Sequence, residues 1–231
     1  MMDIIKNNFI IRSLKEFDLW SMLLIFSIVI LGLGYGGYWG YSYYRSSIEQ
    51  KAQQSFSECM HVYRNALAGW QGQDSSKKNM NAWKEVEIAA RLGYEHNSYS
   101  YLAPYFLMFQ ADALRYQGQH SQAVKILDDA MSKISYQPFK KLFGIKRALM
   151  LMDSQATFDN GFDQLKELAT GEKHDFQDMA LFYLGSYYLS RNDSTHAREF
   201  FNKLTHDFLK DQKEETRSVW ALQAEALGYG S

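Results

Sequence analysis

The stretch "ADALRYQGQHSQAVKILDDA" (111–130) carries Ala111, Leu114, Gly118, Ala123, Leu127 and Ala130 at intervals of 3, 4, 5, 4 and 3. Steps of three and four keep residues on one face of a helix. A second stretch, "GSYYLSRNDSTHAREFFNKL" (185–204), repeats the same intervals with Gly185, Tyr188, Asn192, Ala197, Phe201 and Leu204, and Leu184 adds an apolar position just before it. Small residues at Ala111, Ala123, Gly185 and Ala197 let two helices cross closely. Gly118 and Asn192 tolerate the left-handed conformation that ends a first helix. Leu127, Ala130, Phe201 and Leu204 are left to face the next helix pair.

This is the skeleton of the tetratricopeptide repeat (TPR), a helix–turn–helix unit of about 34 residues. The two stretches lie 74 positions apart, or two units of 37, so a third unit belongs between them. Ala148 and Leu151 fit its first helix. Gly161, Leu165 and Leu168 fit its second, after a one-residue shift at "SQATFDNG" (154–161). The clearest units run over about 99–135, 138–170 and 174–210. A weaker one combines the helix around Ser55–Leu67 with "AWKEVEIAARLG" (82–93), and a last helix over 214–227 caps the array. Polar punctuation separates segments of helix length throughout, and no segment alternates in the manner of a strand. The only prolines are Pro104 and Pro138, which favours long helices. The expected fold class is all-α: one amino-terminal transmembrane helix followed by a TPR-like solenoid. An unrelated helical bundle is the competing architecture.

Outward from the repeats, residues 19–44 contain no charge, between Asp18 and Arg45. Trp20 to Trp39 is twenty residues, about 30 Å of helix, the thickness of a bilayer's hydrocarbon core. The two tryptophans fall near the two interfaces, and Tyr38, Tyr41, Tyr43 and Tyr44 thicken the distal aromatic belt. Gly32, Gly36 and Gly40 recur every fourth residue. They are either a packing seam for a membrane partner or second copy, or the ordinary glycine content of membrane spans. The expected organisation is a short leading segment (1–18), a membrane anchor (19–44) and a TPR-like domain (45–231). A cleavable signal sequence is the alternative to the anchor. It is disfavoured by the long leading segment with its acids and by the aromatic run that cleavage would leave behind. Lys6, Arg12 and Lys15 precede the span, against Arg45 and Lys51 after it. That bias favours an amino terminus on the inner side, which puts the repeat domain across the membrane, in the periplasm if the cell is Gram-negative.

Of 231 residues, 25 are basic and 26 acidic, so no excess positive charge is available for a phosphate backbone, and nucleic acid is not an expected partner. The single cysteine, Cys59, excludes an internal disulfide and a multi-cysteine zinc site. It is either a buried, inert thiol or a partner in a mixed disulfide. None of the six histidines forms HExxH or another i, i+4 ligand pair, and neither a phosphate-binding loop nor GxSxG occurs. His174–Asp175 and His206–Asp207 read as surface or capping residues. No catalytic, cofactor-binding or metal-binding residue is expected. The methionines fall mostly at helical core spacing, with an adaptable groove as the other reading. "YEHNSYSYLAPY" (94–105) fits inter-repeat packing, with Ser98 or Ser100 capping a helix and Pro104 in its first turn. It also fits stacking on an extended peptide.

The span followed by "YSYYRSSIEQKAQQSF" (41–56), with "SYSYLAPYFLMFQADALRYQGQHSQAVKILDDA" (98–130), "KRALMLMDSQATFDNGFDQLKEL" (146–168) and "MALFYLGSYYLSRNDSTHAREFFNKL" (179–204), resembles the YfgM-like family. That family comprises ancillary TPR subunits of the bacterial Sec translocon. The resemblance implies an inner-membrane protein with a periplasmic TPR domain, handing emerging proteins between the translocon and chaperones, and no catalytic residues. The expected function is thus a non-enzymatic, membrane-tethered interaction module whose partners are translocon subunits, chaperones or client polypeptides, with a second copy of the chain as a further candidate. The alternatives are a TPR scaffold for envelope assembly or cell division, and an enzyme whose site the motifs do not reveal.

Overall fold

A computed structural model describes residues 19–70, 77–171, 175–209 and 217–229. The leading segment 1–18, His174 and the first residues of the expected capping helix, 214–216, lie outside them. The described residues form nine helices and no strand. These are α1 (Leu19–Trp70), α2 (Lys77–His96), α3 (Ala103–Tyr116), α4 (His120–Ser132), α5 (Gln137–Met152), α6 (Phe158–Thr170), α7 (Gln177–Ser190), α8 (Ser194–Phe208) and α9 (Val219–Ala226). The chain divides into two compact units, Met1–Lys51 and Ala52–Ser231.

The described part of the first unit is a stretch of α1. By length and composition α1 is apolar enough to cross a membrane. Its aliphatic and aromatic side chains from Leu23 to Tyr44 are exposed, Leu33 to 72%. The core helix of a soluble protein buries such a run.

The second unit is built of helix pairs. Pro104 and Pro138 sit in the first turns of α3 and α5, where a missing N–H costs nothing. Three helices end in one way. Gly118, Asn192 and Gly228 have φ of +76°, +60° and +88°. After each, an N–H reaches back to a carbonyl five residues earlier: Gln119 to Leu114 (2.9 Å), Asp193 to Tyr188 (3.0 Å) and Tyr229 to Ala224 (3.2 Å). The middle pair turns differently, which accounts for the shift at 154–161. The Thr157 hydroxyl donates to the Leu151 carbonyl at 2.7 Å, and α6 starts at the next residue. Ser100 does not cap α3. Its hydroxyl accepts from the Leu102 N–H two residues on (2.8 Å), and Leu102 is the cap.

Close crossings occur where glycine faces a neighbour. A Cβ on Gly185 would lie 2.6 Å from the Phe201 ring, and one on Gly161 would lie 2.6 Å from the Ala148 carbonyl oxygen. Ala111, Ala123, Leu127 and Ala130 are fully buried in a core with Phe143 and Met150 from α5. Leu184, Gly185, Ala197, Phe201 and Leu204 are buried between α7, α8 and α9, and the same core reaches back to Ala148 and Leu165. A third layer joins α1, α2 and α3 through Cys59, Ala90 and Phe106, beside Ala66, Trp83 and Val86.

Candidate functional site

In stacked helix pairs the first helices of successive units line one face, and such extended faces bind partners. Here those helices are the tail of α1, then α3, α5, α7 and α9. One position recurs along them at 37-residue steps: Phe109, Lys146, Tyr183 and Trp220. Tyr63 on α1 extends the row, its ring 4.7 Å from that of Phe109. At the other end Trp220 lies 5.6 Å from Tyr183 and 5.2 Å from Phe182.

The middle of the row is charged. Asp112 on α3 is 2% exposed, and a carboxylate there requires donors. Lys146 Nζ donates to its Oδ2 at 2.6 Å, and the Tyr63 hydroxyl donates to the same oxygen at 3.1 Å. Three successive first helices are therefore tied to one atom. Burial, reinforced by the negative charge of Asp112, pushes the Tyr63 phenol far above its ordinary range. One turn further along α3, Arg115 grips Asp153 at the end of α5 with two hydrogen bonds, one of them 3.1 Å long. His120 Nδ1 stands 4.0 Å from the same carboxylate. Burial works against the Arg115 charge, yet its bonds to Asp153 hold its pKa raised. The Tyr183 hydroxyl is pushed up by burial, opposed by Arg115 and assisted by Tyr116 and Asp112. Tyr116 stacks on the buried Trp83 at 4.0 Å, whose indole nitrogen has no hydrogen-bond acceptor among the described residues.

The face thus offers half-buried aromatic rings (Tyr116, Phe182 and Tyr183) around internally neutralised charges. It suits stacking and hydrogen bonding to a polypeptide. The sequence reading missed Asp112, Lys146 and the row itself. The signal available was the 37-residue step, extended from the turn positions to Phe109.

The residues singled out in the sequence fall in three places. Ala111, Ala123, Ala130, Leu184, Gly185, Ala197 and Phe201 are buried between helices, and Gly118 forms the turn of its pair. Tyr188 is half-buried, stacked on Phe200 at 5.5 Å and on His196 at 5.0 Å. Gly32, Gly36 and Gly40 lie on α1 in the first unit, with no described atom within 4 Å of an added Cβ. Cys59 is buried, and that burial pushes its thiol up to about 11. His206 meets Asp207 at 3.0 Å on the surface. Among the described residues no three histidine, cysteine or acidic side chains gather as metal ligands do.

No curated protein and no solved structure significantly matches the chain. A family model, described as a tetratricopeptide repeat-like domain, matches residues 17–229. Domains of this kind are typically non-enzymatic and mediate protein–protein interactions. With the turns at Gly118 and Asn192, the close crossing at Gly185 and a match that takes in both the apolar helix and the helix pairs, the chain belongs to the tetratricopeptide repeat-like domain family.

Proposed function

We propose that the protein is a non-enzymatic interaction module held to the bacterial inner membrane by residues 19–44, with its repeat domain in the periplasm. In this reading it serves as an ancillary subunit of the protein-export machinery. The observation that carries the tether is the extent of the family match. It starts at residue 17 and so takes in the apolar helix together with the repeats, as a retained anchor requires and a discarded leader does not. The Sec assignment rests on the resemblance to the YfgM-like family. The first-helix face from Tyr63 to Trp220 is the surface for chaperones or client polypeptides. Tethering raises their local concentration beside the channel, and Gly32, Gly36 and Gly40 form the seam toward a membrane partner.

The test is photocrosslinking in native membranes from the full chain carrying a crosslinker at Gly36. Recovery of export-channel subunits is the expected result. Recovery of the chain's own copies alone would replace the export role with that of a scaffold. Protease treatment of intact and opened cells checks topology. Digestion of the repeat domain once the outer membrane is permeabilised supports the periplasmic placement, and digestion only after the inner membrane is breached overturns it.

A further inference from the structure

The two edges of the repeat unit differ in chemistry. Within the unit, α1 and α3 run parallel: Phe56 meets Phe106 at 5.6 Å, and Tyr63 meets Asp112 farther along. Helices α3 and α5 are parallel as well, from Tyr105–Phe139 at one end to Arg115–Asp153 at the other. The chain therefore enters the unit at Ala52 on the edge that also holds the loops before α3 and α5. On that edge Tyr99 is 82% exposed, Tyr101 72%, Tyr136 61% and Phe139 36%. Beside them Lys140 and Lys141, near the start of α5, join no ion pair among the described residues. Helix α5 carries no acidic residue. Three neighbouring acids are occupied: Asp129 by Lys133 (3.3 Å), Asp128 by Arg147 (2.6 Å) and Glu95 by Arg91 (3.5 Å). A shallow groove between α5 and α6, lined by Lys140, Lys141, Arg147 and Gln164, holds one carboxylate, Glu167. The opposite edge, at residues 117–119, 153–157 and 191–193, exposes no large apolar side chain among these loop residues and carries Asp153, paired with Arg115, and Arg191 and Asp193.

We propose that the Tyr99/Tyr101/Tyr136/Phe139 edge docks on an anionic lipid surface. Its rings sit at headgroup depth, and Lys140 and Lys141 reach the phosphates. Tyrosine alone would fit a protein partner equally well. Lysine is depleted at protein interfaces, whereas tyrosine with unpaired lysine is the composition of a membrane-surface contact. The chain passes from the span's unit into this one at Ala52, so only a short stretch of chain separates the edge from the lipid that the span crosses. The proposal rests on the reading of residues 19–44 as a retained anchor.

The experiment uses the full chain in nanodiscs of phosphatidylcholine, with or without phosphatidylglycerol, in a Cys59→Ala background. An environment-sensitive fluorophore is placed at Ser135→Cys on the docking edge or at Gln119→Cys on the opposite one. The expected result is several-fold stronger quenching by spin-labelled lipid at 135 than at 119, and only with the anionic lipid. Each lysine contributes roughly fivefold to the docked-to-undocked ratio, so Lys140→Gln with Lys141→Gln lowers it roughly twenty-five-fold. Unchanged circular dichroism of that variant shows that its fold is intact. Equal quenching at both sites in discs that hold the chain overturns the docking and leaves the anchor standing. Failure of the chain to enter discs overturns the anchor and the docking together. Quenching indifferent to lipid charge and to the lysines refutes an anionic surface. Energy transfer between two copies labelled at 135 in one disc assigns the edge to a second copy instead.

Discussion

Replacing Lys146 by methionine is expected to destabilise the repeat unit more than replacing Asp112 by leucine, although the two residues form one ion pair. The asymmetry follows from burial. The Asp112 side chain is 3% exposed and that of Lys146 is 25% exposed. Without Lys146 the carboxylate stays buried with the Tyr63 hydroxyl as its remaining side-chain donor. Breaking a buried pair in this way costs about 3–5 kcal/mol, and Lys146→Met belongs at about 4 kcal/mol. Without Asp112 the ammonium can turn its head toward water. What then remains is the lost charge-assisted bond and an unsatisfied phenol, together about 2–3 kcal/mol. The double variant removes both charges and should cost less than the sum of the singles by about 1–3 kcal/mol. Urea denaturation of the full chain in detergent, followed by circular dichroism, measures all three. If Asp112→Leu proves the costlier single change, or the double variant equals the sum within about 0.5 kcal/mol, the joint through Asp112 does not hold the three helices as described.

Gly161→Ala should destabilise more than Gly185→Ala in the same assay. Its new Cβ meets backbone at 2.6 and 2.8 Å, whereas at Gly185 it meets the Phe201 ring. Overpacking of about 1–3 kcal/mol exceeds the gain of about 1 kcal/mol in helix propensity, so both should lower the urea midpoint. Raising the pH should weaken the fold through Tyr63, whose folded pKa lies above the ordinary value of 10.0. Its contribution is complete below pH 10 and is lost as pH climbs from there toward the folded value. The slope is at most about 1.4 kcal/mol per pH unit, and Tyr63→Phe should remove one proton from it in denaturation series run between pH 9 and pH 11. Cys59, with its thiol pushed up to about 11, should resist iodoacetamide at neutral pH in the folded chain and react once urea unfolds it. Fast labelling of the native protein would contradict its burial.

What the sequence reveals is what local physics dictates. A left-handed helix end restricts residue type, so Gly118 and Asn192 are legible as turns. A close crossing restricts size, so Gly185 and Ala197 are legible as contacts. An uncharged run of bilayer length is legible as a candidate span because charge is costly in hydrocarbon. The turn at Thr157 was hidden because a hydroxyl bonded to the Leu151 carbonyl does the work of the left-handed residue, and threonine is common everywhere. Ser100 was misread because serine serves a turn as readily as a cap. Asp112 and Lys146 were illegible for another reason. They sit 34 positions apart on different helices, and each alone resembles an ordinary surface charge.

The joints of this unit lie mainly between elements that follow one another along the chain: α3 on α4, α4 on α5, and onward to α8 with α9. Because no strand among the described residues must await a distant mate, assembly can proceed vectorially, each hairpin docking on its predecessor as synthesis releases it. Conversely, a lesion midway, at Gly161 for example, would uncouple the carboxy-terminal hairpins while the earlier ones remained stacked.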